Sequence, residues 1–342
     1  DINIHAYNDG FINVDTISGA GGGAAGVGGA VVAAVITHTT RAYVENAAAL
    51  AYAAKLYAAE VLEVKAEAVE NIVGAAISGA GGGAAGIAGA IIVKIVNTTT
   101  QAYLGDYVQV NQSNYTNLAE NQTVRVQAID TVLSDGVAGS AALSGIAGVG
   151  ATLDITIIRN TVTAFIGQNS SVHAEKNSSA SSPAGNIEVN AQSIKELESY
   201  VIAAAGGGTV GIGGAVAIIL LGAKLDSDSQ ENIGEAASFV DGEISQDIVS
   251  GKLGDSKYAQ ETESKTSGTV TGLQVSGYLN ESSTESLNKT RAYIGAGSKV
   301  TADNNITVSA SDSTRASILA GGAGGGMVGV GGGIGIVTIY ST

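Results

Sequence analysis

The 342-residue chain has no Cys, no Trp, one Pro and one Met, and its only aromatics are twelve Tyr and three Phe. Without Cys it has neither disulfide staples nor thiolate metal ligands. With so few rings, any core must be assembled from Val, Ile, Leu and Ala packed close together. Basic residues are also scarce: 16 Lys and Arg stand against 31 Asp and Glu, a formal charge of −15. That balance repels phosphate backbones and anionic bilayers, which argues against a nucleic-acid partner and makes a membrane partner unexpected. No basic, then apolar, leader opens the sequence at Asp1.

What is abundant is Gly, with 49 residues, about twice the usual ~7% share. Its placement is regular. An alternating motif recurs as Ile2-Asn-Ile-His-Ala6, Leu62-Glu-Val-Lys-Ala66, Val124-Arg-Val-Gln-Ala128, Ile187-Glu-Val-Asn-Ala191 and Ile306-Thr-Val-Ser-Ala310. A Gly-rich run leading into an apolar run begins near residues 21, 81, 143, 206 and 324. A third motif closes on an aromatic, at Tyr43, Tyr103, Phe165 and Tyr293. The first two motifs advance together by 60, 62 and 63 residues, then by 119 and 118. The long last step reflects about 65 additional residues between Ala223 and Thr290.

Such a period marks a repeat architecture. The expected fold class is all-β: a parallel β-helix, or β-solenoid, built from 60-residue units. Strands turning every six to ten residues would give about three coils per unit, hence some 17 coils in a rod on the order of 80 Å long. The expected organisation is solenoid repeats over 1–225, an acidic Ser/Thr-rich insertion over 226–289 as a loop, head or extra coils, and a solenoid continuation over 290–342. Val31 and Ile91, in the apolar runs, are expected in the core, where Asp would be an unpaired buried charge. One stretch, Glu45–Glu60, is rich in helix formers and could project as a short helix.

Chemical motifs are sparse. Gly-x-Gly-x-x-Gly occurs four times, at Gly21, Gly81, Gly206 and Gly324, but an apolar strand follows where a dinucleotide fold requires a helix. Gly is better read as clearing space where coils turn or backbones approach. Four uncharged runs, 17–36, 71–93, 199–223 and 316–342, are long enough to span a bilayer, which keeps a membrane-active toxin as an alternative. His5, His38 and His173 match no zinc spacing, and no nucleophile elbow, phosphate loop or calcium nonapeptide is present. No catalytic, metal or cofactor residues are therefore assigned; Ca²⁺ has no motif behind it. The insertion holds twelve acids against four Lys. Of these, Asp226, Asp228, Glu231, Glu235, Asp241, Glu243 and Asp247 are the candidate interaction residues, against the simpler reading of a solvated excursion. Paired carboxylates on a β-helix also leave a glycan-binding or glycan-cleaving protein as an alternative. Tyr43, Tyr103, Phe165 and Tyr293, one per unit, read as a structural stack that fixes register.

The Asn-Ile-x-Val-x-Ala strands, the Gly-rich runs and above all Thr290-Arg-Ala-Tyr-Ile-Gly-Ala-Gly-Ser-Lys-Val300 resemble the repeat region of filamentous-haemagglutinin-like, leukotoxin-type adhesins of Gram-negative bacteria. The resemblance implies a right-handed parallel β-helix, secreted or surface-anchored, that presents binding surfaces away from the cell. It implies no enzyme activity. The expected partners are further copies or the rest of a longer chain, and a host or neighbouring-cell glycan or protein. The family's secretion domain and β-barrel are not seen, so the sequence is expected to be a segment of a larger protein.

Overall fold

A computed structural model describes residues 1–112, 122–175, 185–222 and 288–341. The alternating motif and the Gly-rich run after it prove to be one continuous strand. Five such strands, β1 (Ile2–Gly22), β4 (Val61–Gly82), β7 (Thr123–Ser144), β10 (Asn186–Gly207) and β14 (Ile306–Gly325), pair in sequence order as a first sheet. The apolar run and the aromatic closure form the second sheet: β2 (Ala25–Val44), β5 (Ala85–Leu104), β8 (Ala147–Ile166), β11 (Val210–Leu221) with β12 (Lys289–Ile294), and β15 (Val328–Ile339). Short strands β3 (Lys55–Leu56), β6 (Gln109–Val110), β9 (Ser171–Ala174) and β13 (Lys299–Ala302) make a third. Every pairing is parallel, so the chain is an all-β solenoid.

The coil count differs from expectation. Ile2 pairs with Leu62, Leu62 with Val124, Val124 with Ile187 and Ile187 with Ile306. Each 60-residue unit is therefore one circuit, not three. The reason lies in the glycines: most are extended and carry the strand onward, and between the two long strands of each unit the chain bends only at 23–24, 83–84, 145–146, 208–209 and 326–327. Five layers at ~4.8 Å spacing make a slab about 20 Å thick, and strands of some 20 residues make it roughly 70 Å broad. It is not a long rod.

Inward side chains taper across that breadth. Near the third sheet the core holds Leu62, Val64, Leu104, Val126 and Ile166. Midway it holds Ile72, Val96, Ile158 and Leu197, and close to the bend only Ala80, Ala88, Ala142 and Ala205. Beyond them the two sheets meet backbone to backbone: a Cβ on Gly148 would stand 2.5 Å from the Gly206 carbonyl oxygen, and one on Gly150 would stand 2.6 Å from that of Ala204. The register of Gly in the sequence is the register of this wedge.

The described strands bear on three further expectations. Val31 faces outward, 43% exposed, while Val32 is the core residue at 1%; Ile91 pairs with Val31 but is buried as expected, at 8%, in a cluster with Val93, Leu153, Ile155 and Val216. The helix-prone segment 45–60 forms only a 3-10 turn, Leu50–Tyr52, followed by β3. It is tied to the next layer, since the Asp106 amide donates to Asn46 Oδ1 and the Ala47 amide to the Asp106 carbonyl. Finally, β11 and β12 both pair with β8, ending at Ile158 and resuming at Thr161, while β10 pairs directly with β14. The layers that flank residues 223–287 are directly adjacent in both sheets.

Candidate functional surfaces

Tyr43, Tyr103, Phe165 and Tyr293 stand on the outward phase of the second sheet, directly above one another. Their centroids are 5.0, 4.7 and 5.0 Å apart, with interplanar angles of 12°, 7° and 1°. The Arg291 guanidinium lies 5.3 Å from the Tyr293 ring centre, a cation–π contact at the end of the column. In-register parallel strands impose this face-to-face spacing, and the layer repeat of ~4.8 Å matches it. Tyr103 contributes two of the three contacts. Tyr103→Ala is expected to destabilise the slab by about 1–3 kcal/mol in chemical denaturation, since each aromatic pair is worth ~0.5–1.5 kcal/mol beyond its area.

The outer face of the first sheet divides in two. Its half near the third sheet carries a charged ladder: Arg125 Nη1 donates to Glu63 at 3.1 Å, its Nε donates to Glu188 at 2.9 Å, and His5 Nε2 sits 2.7 Å from Glu63. Burial raises the Glu63 carboxyl, but the hydrogen bonds from Arg125 and His5 outweigh it and leave the group below its ordinary value. Tyr7 and Phe11, each 65% exposed, follow along the same outward face of β1. Toward the bend the charges end with Asp15, Asp135 and Glu198, and the face exposes Ile17, Ile77, Leu143, Ile202 and Leu319. The uncharged runs considered as membrane spans are these extended strands. Among the described residues no helix is long and apolar enough to cross a membrane.

Inside the slab, a polar seam that the sequence reading missed crosses all five layers. His38 Nε2 lies 2.6 Å from Glu70 Oε1. Asp130 accepts from Thr100 Oγ1 and Asn160 Nδ2, both at 2.6 Å, and Asn160 accepts from Ser193 at 3.2 Å. Lys195 donates to Ser193 and, at 3.0 Å, to Asp312. A second buried pair lies nearer the bend, where Lys94 Nζ donates to Asp154 Oδ2 at 3.4 Å and the Ser199 hydroxyl donates to the same oxygen at 2.6 Å. A signal for these residues was present: Glu70 and Lys94 sit in the inward phase of alternating strands, in step with Ile72 and Ile92.

Burial, then the charge of Asp130, pushes the Glu70 carboxyl up to about 9, and burial lowers the His38 imidazole despite Asp130. Both groups are therefore neutral at neutral pH where they meet. Because folding raises the Glu70 value from 4.5, the native state holds the extra proton between there and about 9. Stability contributed by this group is complete below the lower value and is lost as pH rises through the upper one. His38 acts in the opposite sense, and only below its ordinary 6.5. Glu70→Gln is expected to remove the alkaline part: urea midpoints of variant and parent should diverge from pH 7 to about 9 and level off above it, the variant becoming the more stable.

The candidate interaction residues Asp226, Asp228, Glu231, Glu235, Asp241, Glu243 and Asp247 lie outside the described residues. Among the described residues no three His, Asp or Glu side chains are grouped to hold a metal ion; His5 and His38 meet different glutamates, and His173 lies 3.3 Å from Ser171 Oγ. No family model, curated protein or solved structure matches the chain.

Proposed function

We propose that the chain is a structural and adhesive segment of an extracellular bacterial surface or fibre-forming protein, in keeping with the adhesin repeats it resembles. Its work is to add layers to a solenoid and to present a broad outer face. One observation carries the reading. In the ladder Leu62, Val124, Ile187, Ile306 the first three are fully buried, while Ile306, in the last layer, is 46% exposed beside an unpaired strand edge. Val308, Val328, Val330, Ile334 and Ile336 of that layer are exposed likewise. A further layer would bury them and pair both edges, and an open parallel edge is a ready template for another chain. In the assembly we propose, that layer is a second copy stacked on the same edge.

The outer face of the first sheet, with Tyr7, Phe11 and the Glu63–Arg125–Glu188 ladder, is the surface we assign to a glycan or protein of another cell, and no catalytic step is assigned to it. Light scattering and negative-stain microscopy of the purified chain across micromolar concentrations test the assembly. Stacks that lengthen with concentration are expected, and Ile306→Lys with Val308→Lys should hold the chain as single slabs. A parent chain that stays monomeric throughout would overturn self-assembly.

A further inference from the structure

Most buried ionic groups in the slab keep a wet or well-bonded end: Asp312, the partner of Lys195, reaches solvent and also accepts from Ser341. The pair formed by Lys94 of β5 and Asp154 of β8 does not. Both side chains are wholly buried, 3.4 Å apart, on adjacent layers. Asp154 Oδ1 has no hydrogen-bond partner, while Oδ2 is held by Ser199 from the opposite sheet. Gly136 faces the pair, and any side chain there would collide with both Lys94 Nζ and Asp154 Oδ2. A charged pair in such a place is a poor contributor to stability, because desolvation offsets the attraction.

We propose that Lys94 and Asp154 are a covalent modification site, condensing after folding into an isopeptide bond that ties the second layer to the third. The chemistry balances without any co-reactant. A proton passes from the Lys94 ammonium to the Asp154 carboxylate, leaving amine and acid. Nζ adds to Cγ, the Ser199 hydroxyl supports the charge developing on Oδ2, and a proton from nitrogen goes to Oδ1, the unbonded oxygen. The Cγ–Oδ1 bond breaks and water leaves; nothing is oxidised or reduced. Burial favours the reactive neutral forms, pushing the Lys94 ammonium down and the Asp154 carboxyl up against their mutual attraction. The dry site also suits the neutral amide that results better than it suits two ions. Nearby Asp135 is the other charge that bears on Lys94, and it lies outside the reacting pair.

Mass spectrometry of the folded, full chain tests this directly. The expected intact mass is one water below that of the sequence. Trypsin should fail to cut after Lys94 and should yield residues 66–125 joined to residues 126–159. Lys94→Arg keeps the cation but cannot form the amide, so it should restore the full mass and separate the two peptides; Ser199→Ala should slow the joining. A full-mass parent chain with normal cleavage at Lys94 overturns the proposal. So does a water loss that persists in Lys94→Arg, which would trace to cyclisation at an Asp-Gly step, Asp9-Gly10, Asp135-Gly136 or Asp241-Gly242. The peptide map of the parent chain decides the matter even if a variant does not fold.

Discussion

Val32→Asp is expected to cost on the order of 4 kcal/mol or more, while Val31→Asp, one residue earlier, should stay within about 0.5 kcal/mol of the parent. Val32 packs inward with Ala76, Ala90, Ile92 and Ala138 and is 1% exposed. A carboxylate there would be desolvated beside Lys94, which borders the same space at Gly74 and is already paired with Asp154, and it would also leave the packing incomplete. At Val31 the carboxylate would simply face water. Denaturant unfolding of the two variants side by side measures the difference. A larger loss at Val31 than at Val32 would show that the alternation through the apolar run has the opposite phase, because a one-residue slip exchanges the two faces.

Gly148→Ala is expected to have the next largest effect. The new methyl would sit 2.5 Å from the Gly206 carbonyl oxygen and 3.0 Å from that of Ala142. Both belong to the facing sheet, whose strands are locked by ladders on either side, so the clash has no flexible side chain to absorb it. Overpacking of this kind costs about 1–3 kcal/mol, and the rigid ladders place this site at the upper end. Gly29→Ala is the matched control, since a Cβ there meets nothing within 4 Å. Loss of unfolded-chain freedom alone should stabilise that variant by up to about 1 kcal/mol. Thermal melts that show the same loss at both positions would contradict a wedge closed by backbone contact.

Much of this was legible in the sequence, and the exceptions have physical causes. The spacings of 60, 62 and 63 are the pairing offsets of the ladders themselves, because parallel in-register stacking places equivalent residues together. The aromatic column follows from the same rule. The number of coils per unit did not, since Gly breaks most strands but here is extended, with a facing backbone occupying the space its missing side chain leaves. Nor did the phase at Ala30-Val31-Val32-Ala33, where consecutive apolar residues hide the alternation and only the layer below settles it. Glu70, Asp130 and Lys94 were readable as inward charges, but what they face comes from strands 30 or 60 residues away. Asp226 through Asp247 fall outside the described residues, so the acidic insertion rests on composition alone.

One circuit per unit also sets how the slab carries tension. Strands lie across the stacking axis, so a pull along that axis acts in line with the interlayer hydrogen bonds. Between the first and second layers these span 21 paired residues of β1 and β4 and 20 of β2 and β5. A uniform pull loads all of them at once, and the layer must part as a whole. A pull applied at one corner, at the bend or at the third sheet, would open the same junction one bond after another at much lower force. Anchorage that spreads load over the full breadth of a layer is therefore what would make a strong fibre from so thin a slab.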